Sequence, residues 1–286
     1  MMRRTIRILR RVIATILAAG FAYAAYIYLT LPDVRPLRIG NPATTAFMEL
    51  RARQAQADGD PATKDQRWVS YARISSNLKR AVIVTEDGAF WKHGGIDYDQ
   101  LRESMEVDWE RGEFARGAST ITQQLAKNLY LSPSKNPVRK LRELLITRRL
   151  EAELSKQRIL ELYLNVIEWG DGVWGAEAAA RRYFRKPSAA LTASESALLA
   201  AAIANPRVMD PGHPSARLWR RQQMIMRRMG AVTPPPVVVE PVAPLPAVES
   251  GAPVPNLPDA GLPATLPGAT VSAPNAPKKP GGSPER

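Results

Sequence analysis

Two observations predict that this chain forms a mainly α-helical domain. Between residues 66 and 229, apolar side chains recur every three or four positions, which is the period of one face of an α-helix. No alternating run of β-branched residues in that stretch is long enough to require a sheet. The chain has 286 residues, of which 45% are hydrophobic, so one core of ordinary size is expected.

The first predicted helix is a membrane span at residues 12–31. This stretch carries no charged residue, and its length matches a hydrocarbon core of roughly 30 Å at about 1.5 Å per residue. Five arginines lie in residues 1–11, which predicts that the N-terminus is cytoplasmic. A cleaved signal peptide is the alternative, because Ala22-Tyr23-Ala24 resembles a cleavage site. The apolar run continues beyond that site, which favours a permanent anchor.

Residues 32–65 are predicted to be a juxtamembrane connector, because they contain four prolines and few periodic apolar positions. A short helix is expected within it, at residues 45–57. At the other end of the chain, fifteen of the 56 residues in 231–286 are proline. That composition predicts an extended, disordered tail with no core of its own.

Capping residues predict where the helices of the central domain, residues 66–230, begin. Asn136 followed by Pro137 indicates a cap and a first turn, and Ser155 can cap the next helix, whose apolar face ends at Gly170. Thr192 with Glu195 has the spacing of a capping box.

The last helix of this domain is basic and is predicted to run from Arg217 to Met229. Gly230 follows it and is expected to stop it.

The formal net charge of +13 suits a nucleic acid, an anionic lipid or a phosphorylated ligand. Nucleic acid is disfavoured because most of the positive charge lies beyond the predicted membrane span. The chain has no cysteine and two histidines, which excludes disulfides and thiolate ligands and disfavours a histidine-based metal site. No protein metal site is therefore predicted.

The first segment that suggests chemistry is the acidic pair Glu86-Asp87. A predicted helix leads into it, a glycine-rich stretch follows, and Phe90 and Trp91 lie close by. An apolar wall and a neighbouring negative charge both favour the protonated form of a carboxyl group, so the two pKa values could diverge. The alternative is a solvated surface pair.

The second segment, residues 117–128, has an unusual density of hydrogen-bonding side chains after a glycine. A helix N-terminus with free N–H groups and hydroxyls attracts an anion, and Lys127 adds a positive charge. The alternative is an ordinary capped helix with Ile121, Leu125 and Leu129 on its core face.

The third segment is Arg139-Lys140-Leu141-Arg142-Glu143. On a helix, Arg139 and Lys140 both come within reach of Glu143. Taken alone, this pattern is typical of a surface salt-bridge ladder.

Together and in this order, the segments resemble the peptidoglycan glycosyltransferase family, whose helical domain is lysozyme-like and occurs alone or joined to a transpeptidase. The resemblance covers about residues 66–206. Its motifs are Glu86-Asp87-x-x-Phe90-x-x-His93-x-Gly95-x-Asp97, Ser119–Gln124, Lys127-Asn128, Arg139-Lys140-x-x-Glu143, Lys156–Asn165 and Trp169–Phe184.

The resemblance implies a polymerase that transfers a lipid-diphosphate-linked glycan chain onto the 4-hydroxyl of lipid II with inversion. Glu86 would be the general base, and Glu143 the second essential acid, holding two cations in position. No tightly bound cofactor is implied, although Mg²⁺ or Mn²⁺ could assist at the diphosphate. The implied substrate-binding residues are Asp87, Phe90, His93, Ser119, Thr120, Gln123, Gln124, Lys127, Asn128, Arg139, Lys140 and Arg148.

The same resemblance implies a single-pass protein of the cell inner membrane with a periplasmic catalytic domain. Its partners would be lipid II, the undecaprenyl-diphosphate-linked chain, and proteins of wall synthesis or division. The sequence has no Lys-Ser/Thr-Gly element, and 80 residues follow Pro206, so a monofunctional enzyme without a transpeptidase domain is expected. Two alternatives are a lysozyme-like hydrolase and a non-catalytic, membrane-tethered wall scaffold.

Overall fold

The computed structural model describes residues 2–61, 63–111, 119–134 and 136–231. Over these residues the chain is mainly helical, as predicted. The helices are α1 (Met2–Leu29), α2 (Ala46–Asp58), α3 (Ser76–Glu86), α4 (Tyr98–Arg111), α5 (Ile121–Tyr130), α6 (Pro137–Glu153), α7 (Lys156–Val166), α8 (Ala176–Phe184), α9 (Ala193–Ala202) and α10 (Ala216–Ala231). The strands are β1 (Asp65–Gln66), β2 (Glu168–Gly170) and β3 (Val173–Trp174), and short 3-10 turns lie at Arg35–Arg38, Tyr71–Arg73 and Ser188–Ala190.

The helix α1 contains the predicted membrane span, but its ends differ from the prediction of 12–31. It begins at Met2, because the arginines of the basic segment are good helix formers and extend the helix toward the N-terminus. It ends at Leu29, shortly before Pro32, which disfavours helical geometry in the residue preceding it. The segment Arg4–Leu29 is long enough to cross a membrane and contains an 18-residue stretch that is apolar enough to do so. This is compatible with a single-pass anchor.

The predicted short helix near residues 45–57 is confirmed by α2, which Thr45 caps by accepting a hydrogen bond from the Met48 amide. The rest of the connector prediction needs correction. Leu31, Leu37 and Met48 are buried in the same core as the central helices, so this segment packs as part of the domain. Proline-rich composition indicated irregular backbone, but it carried no information about burial.

The capping predictions for the central helices are confirmed. The side chain of Asn136 accepts a hydrogen bond from the Val138 amide at the start of α6, and Ser155 accepts one from Arg158 at the start of α7. Thr192 opens α9 with the predicted capping box.

Two helix ends differ from the predictions. The helix α7 stops at Val166 rather than near Gly170, because Glu168–Gly170 form β2. The helix α10 passes through Gly230 and ends at Ala231. A Cβ atom at Gly230 would meet nothing within 4 Å, so no close packing requires a turn there. The predicted disordered tail lies outside the described residues from 232 onward.

A small three-stranded sheet, which the sequence did not predict, has the order β1-β3-β2. The pairing of β1 with β3 is parallel, with Asp65 opposite Val173, and β3 with β2 is antiparallel. Strands of two or three residues are too short to produce a visible alternation of apolar and polar side chains. The sheet borders the core, where Trp169 and Trp174 are among the largest fully buried side chains.

The helical packing brings three separate parts of the chain together. The helix α9 packs against α3 and α10, while α5 packs against both α6 and α7. The loop of residues 87–97 follows α3 and returns to the N-terminus of α5, where Thr120 donates a hydrogen bond to the Gly95 carbonyl at 2.7 Å. The C-terminus of α3 and the N-terminus of α5 are therefore neighbours.

Gly95 holds this loop against α6, and we expect its replacement by alanine to destabilise the fold. Its φ angle is +88°, and a Cβ atom there would lie 2.7 Å from the side chains of Thr147 and Glu151. Strain and overpacking together should lower the free energy of unfolding by roughly 2–5 kcal/mol. Urea unfolding of the detergent-solubilised protein, followed by tryptophan fluorescence, measures this loss.

The matched control is Gly94→Ala. A Cβ atom at Gly94 would meet nothing within 4 Å. This variant should remain within about 0.5 kcal/mol of the wild type. Equal effects of the two substitutions would contradict the assigned role of Gly95.

Candidate active site

Glu86 lies where three helices converge. It is the last residue of α3 and is partly buried, and its Oε2 accepts a hydrogen bond from Nε2 of Gln124 on α5 at 2.9 Å. The Oε1 atom of Gln124 accepts a hydrogen bond from the hydroxyl of Tyr163 on α7, also at 2.9 Å. Tyr163 is fully buried. The phenol therefore fixes which way the Gln124 amide points, and the amide fixes the carboxylate.

The surroundings of Glu86 make it a stronger base than an ordinary carboxylate. Burial raises the pKa of Glu86, and the adjacent Asp87 adds to that increase. The hydrogen bond from Gln124 and the positive charges of Arg221 and Lys127 act in the opposite direction without cancelling the rise. Burial also raises the pKa of Tyr163 well above its usual value, which keeps the phenol protonated as a donor.

A cluster of cations lies beside this carboxylate. Glu143 on α6 is buried, and its two oxygens pair with Arg139 at 2.5 Å and with Lys140. Burial lowers the pKa of Lys127; the charge of Glu143 opposes this, and the charges of Arg139 and Lys140 reinforce it. The charge of Glu86 also acts on Lys127. Lys127 on α5 thus links the acid to Arg139, Lys140 and Glu143 on α6. Together with Lys127, these residues make a cation cluster of three cations and one anion, with a net charge of +2.

The N-terminus of α5 is occupied by the protein's own carboxylate, which corrects one interpretation of the sequence. Asp87 is buried, and its Oδ2 accepts a hydrogen bond from the Ile121 amide at 2.9 Å. Thr120 and Gln123, predicted to bind substrate, form the capping box of this helix. The anion at this helix end is Asp87, and substrate binding by Thr120 and Gln123 stays a prediction.

Among the described residues, one group of acidic and histidine side chains is close enough together to hold a metal ion: Asp87, His93 and Asp97. Each of the three side chains already accepts a hydrogen bond from the protein or shares one with a neighbour. His93 Nδ1 accepts a hydrogen bond from the Gly95 amide, so its other nitrogen carries the proton and donates to Asp87 at 2.8 Å. Asp97 accepts a hydrogen bond from the Gln100 amide. These hydrogen bonds hold the loop together, and binding of Mg²⁺ or Mn²⁺ by the same atoms would have to break them. The proposed mechanism therefore uses protein side chains alone.

The remaining predicted residues divide into two sets. Near Glu86, the Ser119 carbonyl accepts a hydrogen bond from Gln124 at 3.4 Å, and Asn128 donates one to the Gln124 backbone at 2.8 Å. Phe90 is fully buried. Arg148 lies elsewhere: it is exposed, bonds the Tyr98 hydroxyl at 3.1 Å, and lines a separate cavity with Lys92 and His93.

Two residues of the site were not singled out from the sequence. Tyr163 lies within the motif Lys156–Asn165, and its hydroxyl is the only local sign of an individual role. Arg221 belongs to the basic helix α10 and acts electrostatically on Glu86. No local pattern identifies Arg221, because its proximity to Glu86 arises from the packing of α10 against α3.

Comparison with known proteins gives consistent matches. A sequence model described as Transglycosylase matches residues 53–230, beginning earlier than the predicted boundary at residue 66. The chain is 46% identical over 226 residues to a protein of Laribacter hongkongensis, covering 79% of this chain and 97% of the relative. For relatives from Chromobacterium violaceum and Neisseria gonorrhoeae the identities are 44% and 42% over 229 residues, covering 80% of this chain and 99% and 97% of the relatives. All three are named biosynthetic peptidoglycan transglycosylase.

The raised pKa of Glu86 predicts that Glu86→Gln stabilises the protein at neutral and alkaline pH. A carboxyl whose pKa rises on folding binds more protons in the folded state, so its contribution to stability falls as pH rises from the ordinary value of 4.5 through the folded-state pKa. The amide has no such dependence. The variant should therefore exceed the wild type in free energy of unfolding at about pH 8, with the difference fading toward about pH 4.

Urea unfolding across this pH range measures the difference. Glu49→Gln, the same change at an exposed carboxylate, controls for the loss of one negative charge. A Glu86→Gln variant that is less stable than the wild type throughout would contradict the direction assigned to this pKa.

Proposed function

This chain belongs to the transglycosylase family, and we propose that it polymerises the glycan strands of peptidoglycan from a disaccharide carried on a lipid diphosphate. It is a glycosyltransferase. The name shared by its relatives identifies the polymer. The net positive cluster of Lys127, Arg139, Lys140 and Glu143 supports a diphosphate leaving group, because such a group departs with negative charge.

Glu86 acts as the general base in this proposal. It removes the proton from the 4-hydroxyl of the acceptor sugar while that oxygen attacks the anomeric carbon of the donor chain. The bond from the anomeric carbon to the diphosphate oxygen breaks, so an α linkage becomes a β-1,4 linkage with inversion. A carboxylate with a raised pKa holds a proton more readily near neutral pH, which suits this task.

Lys127, Arg139 and Lys140 stabilise the charge that develops on the departing diphosphate. Glu143 positions the latter two cations, since each of its oxygens pairs with one of them. Both oxygens are thus engaged by cations, and we assign Glu143 a positioning role rather than a proton transfer.

One observation carries the proposal: Glu86 and Lys127 each influence the pKa of the other, and Arg139 and Lys140 influence that of Lys127. Base and leaving-group cations therefore share one electrostatic environment. In the proposed reaction the acceptor hydroxyl binds at Glu86 and the diphosphate binds at the cluster. An in-line displacement requires these two groups on opposite sides of the reacting carbon.

The substrates of such a reaction are membrane-bound, and α1 supplies the matching anchor. We assign the acceptor to lipid II and the donor to a growing chain on undecaprenyl diphosphate. The arginines before the apolar part of α1 favour a cytoplasmic N-terminus, which leaves the domain on the periplasmic face of the inner membrane.

A glycan hydrolase is the alternative function. It would use Glu86 to act on water or on the glycosidic oxygen, and it would need a second carboxyl group free to take part. Glu143 is held by two cations and Asp87 by two hydrogen-bond donors, so neither is free for that role. The geometry therefore favours transfer over hydrolysis.

We expect Glu86→Gln to abolish polymerisation while the protein stays folded. Loss of a general base should lower the turnover number by about 10²–10⁴-fold. Purified full-length enzyme is incubated with lipid II carrying a fluorescent label, and the glycan strands are separated by electrophoresis. A parallel incubation with finished wall material tests for hydrolysis.

Glu49→Gln is the matched control and should polymerise at the wild-type rate, because Glu49 is exposed and its ion pair is with Arg53 on the same helix. Near-normal polymerisation by Glu86→Gln would refute the base assignment. Cleavage of finished wall without polymerisation would support the hydrolase, and indifference of every assay to Glu86 would support a non-catalytic scaffold.

A further inference from the structure

Two arginines of α6 bind the end of the membrane helix. Arg149 donates hydrogen bonds to the carbonyls of Tyr28 at 3.1 Å and of Leu31 and Pro32 at 3.3 Å. Arg142 donates to the carbonyl of Thr30 at 2.8 Å and to its hydroxyl at 3.0 Å. The two arginines are seven residues apart, about two helical turns, so they lie on one face of α6. We call this pair the α1 clamp.

The clamp has a clear physical basis. The last carbonyl groups of a helix lack intrahelical partners and carry partial negative charge. An arginine supplies both hydrogen-bond donors and a positive charge to such carbonyls. The Arg149 guanidinium also lies 4.9 Å from the centre of the Tyr28 ring, within the range of a cation–π contact. Both arginines are only partly exposed, and the adjacent Leu31 is buried in the core. The end of α1 is therefore fixed against α6 rather than joined to it by a loose linker.

The helix α6 also carries Arg139, Lys140 and Glu143 of the cation cluster. Arg139 precedes Arg142 by three residues, which is about 4.5 Å along the helix axis. The clamp and the α6 residues of the cation cluster thus lie on the same rigid helix. Movement of the membrane helix relative to α6 would change the height of Arg139 and Lys140 above the bilayer.

Attachment of the domain does not itself require the clamp. Arg158 on α7 independently holds the connector, donating to the carbonyls of Leu37 at 2.8 Å and Gly40 at 2.6 Å. It also bonds the Asn41 side chain at 2.8 Å. What Arg158 leaves undetermined is the direction in which α1 leaves the domain, and Arg142 and Arg149 act at that point.

Building on the proposed function, we propose that Arg142 and Arg149 are positioning residues that set the cation cluster at the depth of a membrane-bound lipid diphosphate. A lipid donor embedded in the bilayer presents its diphosphate at a fixed level near the headgroups. A donor with a short, water-soluble chain can approach at any level. The clamp should therefore matter for the first donor and much less for the second.

The first test compares the two donors in proteoliposomes containing full-length enzyme. Arg142→Gln with Arg149→Gln removes both guanidinium groups while keeping polar side chains. The ratio of the rate with the long-chain donor to the rate with the short-chain donor should fall by about tenfold or more, since small misplacements cost that much. Arg227→Gln with Arg228→Gln removes the same charge from exposed positions and should leave the ratio unchanged.

The second test needs no catalysis. The chain has no cysteine, so spin labels can be placed at Phe21→Cys on α1 and Gln223→Cys on α10, both exposed positions. Their distance distribution in proteoliposomes should broaden in the clamp variant and stay narrow in the Arg227→Gln, Arg228→Gln control. An unchanged distribution, or an equal loss of rate with both donors, would overturn the proposal. Failure of the wild type to polymerise either donor would instead refute the proposed function, and the distances would still decide the clamp.

Discussion

Burying the Glu86 carboxylate is unfavourable, and much of the surrounding structure serves to make it tolerable. Removal from water disfavours the charged form. One hydrogen bond from Gln124 and two nearby positive charges, Lys127 and Arg221, partly compensate for this cost. These groups come from two other helices, α5 and α10, so the acid is stable only when the helices are packed. The compensation is incomplete, since the pKa stays raised. A fully compensated carboxylate would be more stable but a weaker base.

The neighbouring Asp87 has a different set of hydrogen-bond partners, although burial raises its pKa as well. It is more deeply buried than Glu86, yet each of its oxygens has its own donor, His93 and the Ile121 amide. It ties the loop after α3 to the N-terminus of α5 and thereby fixes the helix that carries Gln124 and Lys127. The two adjacent carboxylates thus differ in their hydrogen-bond partners, which is the pattern expected if Asp87 is structural and Glu86 is reactive, as proposed.

Local signals in the sequence were sufficient for much of this fold. The caps at Asn136, Ser155 and Thr192 act within four residues, and the helix leading into Glu86 follows from periodicity. The errors arose where the deciding contact is distant. The N-terminus of α5 looked available to an anion because its actual partner, Asp87, lies 34 residues earlier. Tyr163 and Arg221 reach the site through packing, and the burial of the connector depends on a core that the composition of that segment does not describe.

Under the proposed function, one helix, α6, meets two requirements that a lipid-linked substrate imposes together. The reacting sugar must face a base, and the leaving diphosphate must stay at the membrane surface where its lipid holds it. A soluble glycosidase meets only the first requirement, because its substrate can diffuse to any depth. Here Glu143 orders Arg139 and Lys140 on one part of α6, while Arg142 and Arg149 bind the end of α1 on another. One rigid helix can satisfy both requirements only if the membrane helix has a fixed direction. The contacts between α6 and the carbonyls at the end of α1 therefore contribute to the proposed site geometry, as the cations Arg139 and Lys140 do.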